Sequence, residues 1–303
     1  MNAASRNPLS LIGEPTMTLT RRLAGALPIA ALVAGLAVDV HAGSLEEIQA
    51  RGYIEIATED NYAPFEIFED GEPRGFTHDV IAEFREYADF EVRQDIMPWT
   101  GLLAAVATGK YDAAITGSIV SKERLARFDF TSPTASATHY YMKRKGDDRL
   151  QSVADLDGMT LGVQAGSVLL TRLPELEAML AESGGSLGEV VQYTSYPEAY
   201  EDLANGRLDY VVNSIISANA VIAERGDTFE LGQPVSGPGF HAYPVPKGND
   251  DLLNYLNDFV VHLKESGKLA ELQEKWFGTT FDDLPNVTIR SFEQYQELTA
   301  AGG

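Results

Sequence analysis

A run with strand periodicity followed by a run with helix periodicity recurs along this chain, and then the whole series starts again. Ile54 and Ile56 alternate with Glu55, which reads as a strand, and Val80, Ile81, Phe84 and Tyr87 then fall on one helical face. A strand follows around Phe90 and Val92, a helix through Leu102, Leu103 and Val106, and a strand over Tyr111 to Ile115. The series restarts at Met159. Leu161 and Val163 mark a strand, Leu169, Leu173, Leu176 and Leu180 a helix, Val190, Val191 and Tyr193 a strand, and Ala199, Tyr200 and Leu203 a helix. Leu208 to Val212 and Ile215 to Ala223 complete it as strand and helix. A late helix carries Leu252, Leu256, Phe259, Val260 and Leu263, and a last short one runs towards Trp276 and Phe277; the polar tail after Gly278 shows no period. Alternating periods of this kind predict an α/β chain with parallel layers. Two doubly wound units bring two sets of strand C-termini to the surface, where ligands bind, and the cleft between them is the expected site.

The N-terminal segment is read separately. Arg21 and Arg22 precede an apolar run from Leu23 to Val38, and Val40-His41-Ala42 before Gly43 is a small-residue cleavage pattern. Residues 1–42 therefore read as a secretory signal peptide, with translation starting at Met1 or Met17. The alternative, a membrane anchor, needs about 20 apolar residues. The chain has no Cys, so neither a disulfide framework, a thiol nucleophile nor a lipidated cysteine is available. Location in the periplasm without a membrane anchor is the expectation. Removing Arg6, Arg21, Arg22, Glu14 and Asp39 with the leader takes the net charge from −22 to −23. A surface of that sign repels nucleic acid and anionic lipid and serves solubility.

Four enzyme-like patterns lack their context. Gly184-Gly185-Ser186-Leu187-Gly188 matches G-x-S-x-G, but here a helix precedes and a strand follows, the reverse of a nucleophile elbow. Gly237-Pro238-Gly239-Phe240-His241-Ala242 lacks the strand-turn-helix setting of a dinucleotide fingerprint. Gly109-Lys110 has neither the upstream Gly nor the Ser/Thr of a phosphate loop, and the scattered His residues have no metal-ligand spacing. No metal or cofactor is expected.

The stretches IATEDNYAPFEIFEDGEPRGFTHDV, PWTGLLAAVATGKYDAAITGSIVSKERLARFDFTSP, DLDGMTLGVQAGSV, YEDLANGRLDYVV and VPKGNDDLLNYLNDFVVHLKESGKLAELQEKWFG, in that order and spacing, resemble the family 3 periplasmic solute-binding proteins of ABC importers. The resemblance runs from about Gly52 to Gly278. It implies the two-lobed periplasmic binding protein fold, type II-like, with two doubly wound domains joined by two hinge crossings. The crossings would lie near Tyr141-Met142-Lys143 and Ala242-Tyr243-Pro244. Lobe one would then be residues 43–141 and 242–303, and lobe two the inserted 142–241. Closure would be a hinge motion driven by ligand contacts made only in the closed state.

The resemblance also assigns residues. Arg124 matches the arginine that grips a ligand carboxylate, for which a guanidinium offers a rigid two-pronged fork; standing alone in Lys122-Glu123-Arg124 it would read as a surface charge. Tyr62 and Trp99 match the positions that sandwich the ligand. Their loop and helix-start settings suit that role, whereas isolated aromatics belong more often to a core. Gly117 and Ile119 match positions that give backbone groups to the ligand, and Ser167 and Val168 positions whose amides meet its carboxylate. Glu59 matches a position touching the far end of cationic ligands, and reads equally as a solvated acid beside Asp60. Ser214 stands where amino-acid binders of the family usually carry an Asp for the α-ammonium, and Ile119 replaces a hydroxyl residue that assists it. A buried ammonium without a counter-charge is costly, so an ordinary α-amino acid is not expected to bind tightly.

The function that follows is capture of a small carboxylate-bearing solute, an amino acid, a derivative or another organic acid or zwitterion, by a monomer that works with ABC transporter permease subunits and has no catalytic residue. Two alternatives stay open. One is a periplasmic cyclohexadienyl dehydratase acting on prephenate or arogenate, for which Glu59 is the available acid. The other is a module presenting its ligand to a membrane sensor.

Overall fold

The computed structural model describes residues 43–301, so the leader expected over 1–42 lies outside the described residues. The chain starts with α1 (Leu45–Arg51), closed by a reciprocal capping box between Ser44 and Glu47 and ended by Gly52 in the left-handed conformation at φ 79°. Strand β1 (Tyr53–Glu59), a small hairpin of β2 (Ile67–Glu69) and β3 (Glu72–Arg74), α2 (Phe76–Tyr87), β4 (Glu91–Met97), α3 (Trp99–Ala107) and β5 (Ala113–Ala114) follow. They build a parallel sheet in the order β4-β1-β5. Val80, Ile81 and Phe84 of α2 are buried against one face, and Leu102 and Val106 of α3 against the other.

Two short strands, β6 (Phe128–Phe130) and β7 (Ala135–Ser136), lead to β8 (His139–Arg144). The second unit then runs through β9 (Leu161–Gln164), α4 (Leu169–Glu182), β10 (Val190–Tyr193), α5 (Tyr196–Ala204), β11 (Tyr210–Ser214), α6 (Ile215–Arg225) and β12 (Phe229–Pro234). Its five-stranded sheet has the order β10-β9-β11-β8-β12. Strands β9, β10 and β11 are parallel, as the periodicity predicts, while β8 runs antiparallel to both β11 and β12. The Gly184–Gly188 segment is an irregular connection from α4 to β10.

The chain returns through β13 (Phe240–His241) and β14 (Pro244–Pro246), then α7 (Asp250–Glu265) and α8 (Lys268–Phe277). Here the structure corrects the expected boundaries. Tyr141, Met142 and Lys143, expected at the first crossing, lie inside β8, paired with Val212, Val211 and Tyr210 of β11. The two chain segments that run side by side are β7 and β13, with Phe240 opposite Ser136 and His241 opposite Ala135. Pro244, expected at the second crossing, already pairs with Phe130 of lobe one. The expected first boundary thus falls inside β8, because the strand pattern of His139–Arg144 carries no mark of which sheet it joins.

The tail that shows no period after Gly278 is also ordered. Ile289, wholly buried, bridges to Phe130, and Lys247 Nζ donates to the Arg290 carbonyl at 3.0 Å. A last helix, α9 (Phe292–Ala301), places the Tyr295 hydroxyl 3.4 Å from the Pro238 carbonyl.

Candidate functional site

Glu59 ends β1 and Trp99 begins α3, so both stand at the C-terminal edge of the first sheet. Gly101, at φ 97°, sets the Trp99 turn apart from the rest of its helix. Arg124 opens a single tight turn, Arg124–Ala126, with Leu125 buried beneath it and its own N–H donated to Ser121 Oγ at 3.3 Å. From the second lobe, Gln164 ends β9, and Ser167 and Val168 lead into α4. These residues, with Tyr62, Gly117 and Ile119, line one cleft of about 270 Å³.

Eight of the nine residues singled out from the sequence therefore come together: Glu59, Tyr62, Trp99, Gly117, Ile119, Arg124, Ser167 and Val168. Ser214 does not reach the cleft. It is wholly buried as the N-cap of α6, accepting from the Ser217 N–H, and lies behind Tyr62, whose hydroxyl is 3.3 Å from Ser214 Oγ. Gln164 was missed. Its signal was available, since it is the polar residue at the C-terminal end of a strand, where α/β sheets place their ligands.

Arg124 is held in place by the protein's own groups. Its Nη1 donates to the Ile119 carbonyl at 2.7 Å, its Nη2 to the Gly166 carbonyl of the other lobe at 3.2 Å, and its Cζ lies 4.9 Å from the Trp99 ring centre. A guanidinium has five N–H donors, so three remain for a carboxylate. Burial brings its pKa down to about 10, which leaves it cationic at neutral pH. The amides of Ile119 and Val168 make no hydrogen bond among the described residues, and Val168 opens the 14-residue α4 with its positive helix end.

Other expected donors are already engaged. The Ser167 N–H donates to the Gln164 carbonyl at 3.1 Å, and the Gly117 N–H to Glu66 Oε1 at 3.1 Å. The Gly117 carbonyl accepts from His241 Nδ1 at 3.0 Å, which fixes that ring's tautomer. What Gly117 gives the cleft is its missing side chain: a Cβ there would lie 2.6 Å from the Tyr62 ring.

The acid side is unusual. Glu59 is 3% exposed and accepts from Gln164 Nε2 at 2.8 Å, a bond across the cleft. Glu66 lies buried close by, with Oε2 unpartnered. Burial pushes both carboxyls well above the usual carboxylate range, and for Glu59 the charge of Glu66 adds to that. The cleft thus offers one fixed cation, free peptide N–H groups, an acid that favours its proton, an amide, and two aromatic faces.

Comparison with known proteins places the chain among relatives. A family model described as bacterial extracellular solute-binding proteins, family 3, matches residues 54–279. The L-cystine-binding protein of Escherichia coli K12 is 28% identical over 252 residues, covering 82% of this chain and 92% of that protein. The L-arginine-binding protein of Pseudomonas aeruginosa is 29% identical over 255 residues, covering 82% and 95%. Among solved structures, an ancestral amino acid-binding protein described as a precursor of cyclohexadienyl dehydratase superposes with a TM-score of 0.68 at 25% identity, covering 77% of this chain and 98% of that one. With that family model matching residues 54–279, well over half of its length, the chain belongs to the bacterial extracellular solute-binding proteins of family 3.

Proposed function

We propose that this protein captures a small carboxylate-bearing solute of amino-acid type in the periplasm and delivers it to the permease subunits of an ABC importer. The observation that carries the reading is Arg124. Its guanidinium is braced by carbonyls of both lobes, lies over Trp99, and keeps three unengaged donors at the edge of a cleft that also has the free amides of Ile119 and Val168. Relatives named for cystine, histidine and arginine binding support a ligand of this class. The aromatic faces of Tyr62 and Trp99 favour a compact molecule with a planar or aliphatic body.

The test is a thermal-shift panel of amino acids, osmolytes, opines and hydroxy acids, each beside its carboxamide, followed by calorimetry of the hits. A carboxylate is expected to bind while its carboxamide does not. Equal binding of both would remove Arg124 from the reading.

One observation favours a second reading. Glu59 is a proton-holding acid in the cleft, the kind of group that dehydration of prephenate or arogenate requires. Its single polar contact, however, is to Gln164, and no second acid or base lines the cleft besides the guanidinium. No formation of phenylpyruvate from prephenate or of phenylalanine from arogenate is expected. Enzyme-dependent turnover of either would replace binding by catalysis.

A further inference from the structure

Tyr62 belongs to lobe one but ends in lobe two. Its hydroxyl donates to Asn213 Oδ1 at 3.0 Å and lies 3.3 Å from Ser214 Oγ, while Asn213 Nδ2 donates to the Tyr200 hydroxyl at 2.8 Å. The ring is fixed as firmly as its hydroxyl. It stacks on Phe65 at 5.4 Å with an interplanar angle of 9°, and on Tyr196 of lobe two at 5.9 Å; Tyr196 stacks in turn on Tyr200 at 5.8 Å. The opening residues of α6 are therefore satisfied by protein alone. Asn213 Oδ1 also accepts from the Ser214 N–H at 2.7 Å, and Ser214 Oγ accepts from the Ser217 N–H at 3.4 Å.

Resting on the reading that the cleft takes a carboxylate at Arg124, we propose that the Tyr62–Asn213 contact is a specificity determinant that excludes a primary ammonium on the carbon next to that carboxylate. The ligand class is then a compact carboxylate with a hydroxyl or a substituted nitrogen at that carbon and a hydrogen-bond donor directed at Glu59.

Three features carry this. First, an ammonium has three donors and no acceptor. On the Ser214 side, the acceptors it would need are Asn213 Oδ1 and Ser214 Oγ, and both are occupied and shielded by a phenol ring. Second, Ile119 presents an apolar side chain to the cleft, and Gly117 none. Third, the carboxyl in the cleft, Glu59, is tied to Gln164, with Glu66 rather than a cation behind it. An ammonium placed in the cleft would meet a carboxyl that favours its neutral form, and so no counter-charge. A hydroxyl needs one donor and one acceptor, and a neutral Glu59 carboxyl, with one oxygen bonded to Gln164, supplies both from the other.

The test uses matched pairs that differ only at that carbon: L-arginine against 5-guanidino-2-hydroxypentanoate, and L-glutamine against 2-hydroxyglutaramate, measured by calorimetry on the full mature chain. The wild type is expected to bind the hydroxy member of a pair about tenfold or more tightly, the effect of leaving one buried polar group unpaired. Tyr62→Ala removes the ring as well as the hydroxyl and so frees Asn213 and Ser214, and Tyr62→Ala combined with Ser214→Asp adds a counter-charge there; each is expected to narrow that ratio. The ratio is read within one variant, so a uniform loss of affinity does not affect it. Equal or tighter binding of the amino member by the wild type, with binding still lost in Arg124→Ala, would overturn this inference and leave the carboxylate reading standing. A ratio unchanged in both variants would also overturn it. Failure of both members of both pairs, together with every other carboxylate tried, would overturn the carboxylate reading and this inference with it.

Discussion

Arg124 does two tasks at once, closing the Ile119 turn and presenting its free edge to the cleft. Its removal leaves a turn anchored by Leu125 in place but takes away the only fixed cation among the residues lining the cleft. Arg124→Ala is therefore expected to weaken carboxylate binding by about 3 kcal/mol, as for one partner of a buried charge pair. Folding stability should change by less than about 1 kcal/mol. Calorimetry and urea denaturation of the same variant check both halves, and an affinity within about threefold of wild type would contradict the assignment. Glu66 gives a prediction of opposite character. Folding raises its pKa, so the folded chain keeps a proton that the unfolded chain has already released. The associated stability is complete below the ordinary carboxylate range and is lost as pH rises above about 4.3 towards the folded value. The stability of wild type minus that of Glu66→Gln should accordingly fall as pH rises from about 4.5 through neutrality, with a slope of at most about 1.4 kcal/mol per pH unit per proton. His139 and His241, buried and held neutral, act in the other direction below about pH 6.5. They are common to both proteins and cancel in the difference. Parallel curves would show that Glu66 titrates normally. At this scale the sequence was legible where a residue's neighbours in the chain revealed its setting. Tyr62 in a loop and Trp99 after Pro98 could be placed in this way, whereas Arg124, in the charged run Lys122-Glu123-Arg124, was placed only through the family resemblance. Ser214 was not, because its burial depends on a phenol 152 residues away.

Among the elements, the helices were the most legible. An amphipathic period such as that of Leu252, Leu256, Phe259, Val260 and Leu263 in α7 fixes the buried face without reference to anything else. Strand partners were less so. Alternation identifies His139–Arg144 as a strand but is silent on its sheet, and the expected lobe boundary fell inside it. The tail was illegible for a related reason. Residues 279–291 have no period, and are held by one wholly buried side chain, Ile289, and by polar contacts from Lys247, Lys264 and Asp250 that are remote in sequence. Ile289→Ala should cost about 2–4 kcal/mol in urea denaturation, because the cavity it leaves lies between Phe130 and its neighbours in the second core of lobe one. A cost below about 1 kcal/mol would mean that the tail is not part of that core.

For the whole molecule, the two lobes meet across the cleft through a few direct polar contacts: Tyr62 with Asn213 and Ser214, Glu59 with Gln164, and Arg124 with the Gly166 carbonyl. Each hydrogen bond of this kind contributes about 1 kcal/mol net. Even with the stacking of Tyr62 on Tyr196, that is little against the freedom of two units connected next to two short strands, β7 and β13. The free chain is therefore expected to populate an open arrangement, and a carboxylate on Arg124 supplies the differential contacts that favour the closed one. The fold class was legible from the repeated series of periods, but the contacts across the cleft join residues 42 to 152 positions apart, which no local pattern reveals. The direct test of closure on a carboxylate is a small-angle scattering titration with the tightest hit of the thermal-shift panel, run in parallel on wild type and Arg124→Ala. The radius of gyration should fall to a plateau for wild type and stay constant for the variant at the same ligand concentration; a wild-type profile unchanged at saturation would contradict closure around the ligand.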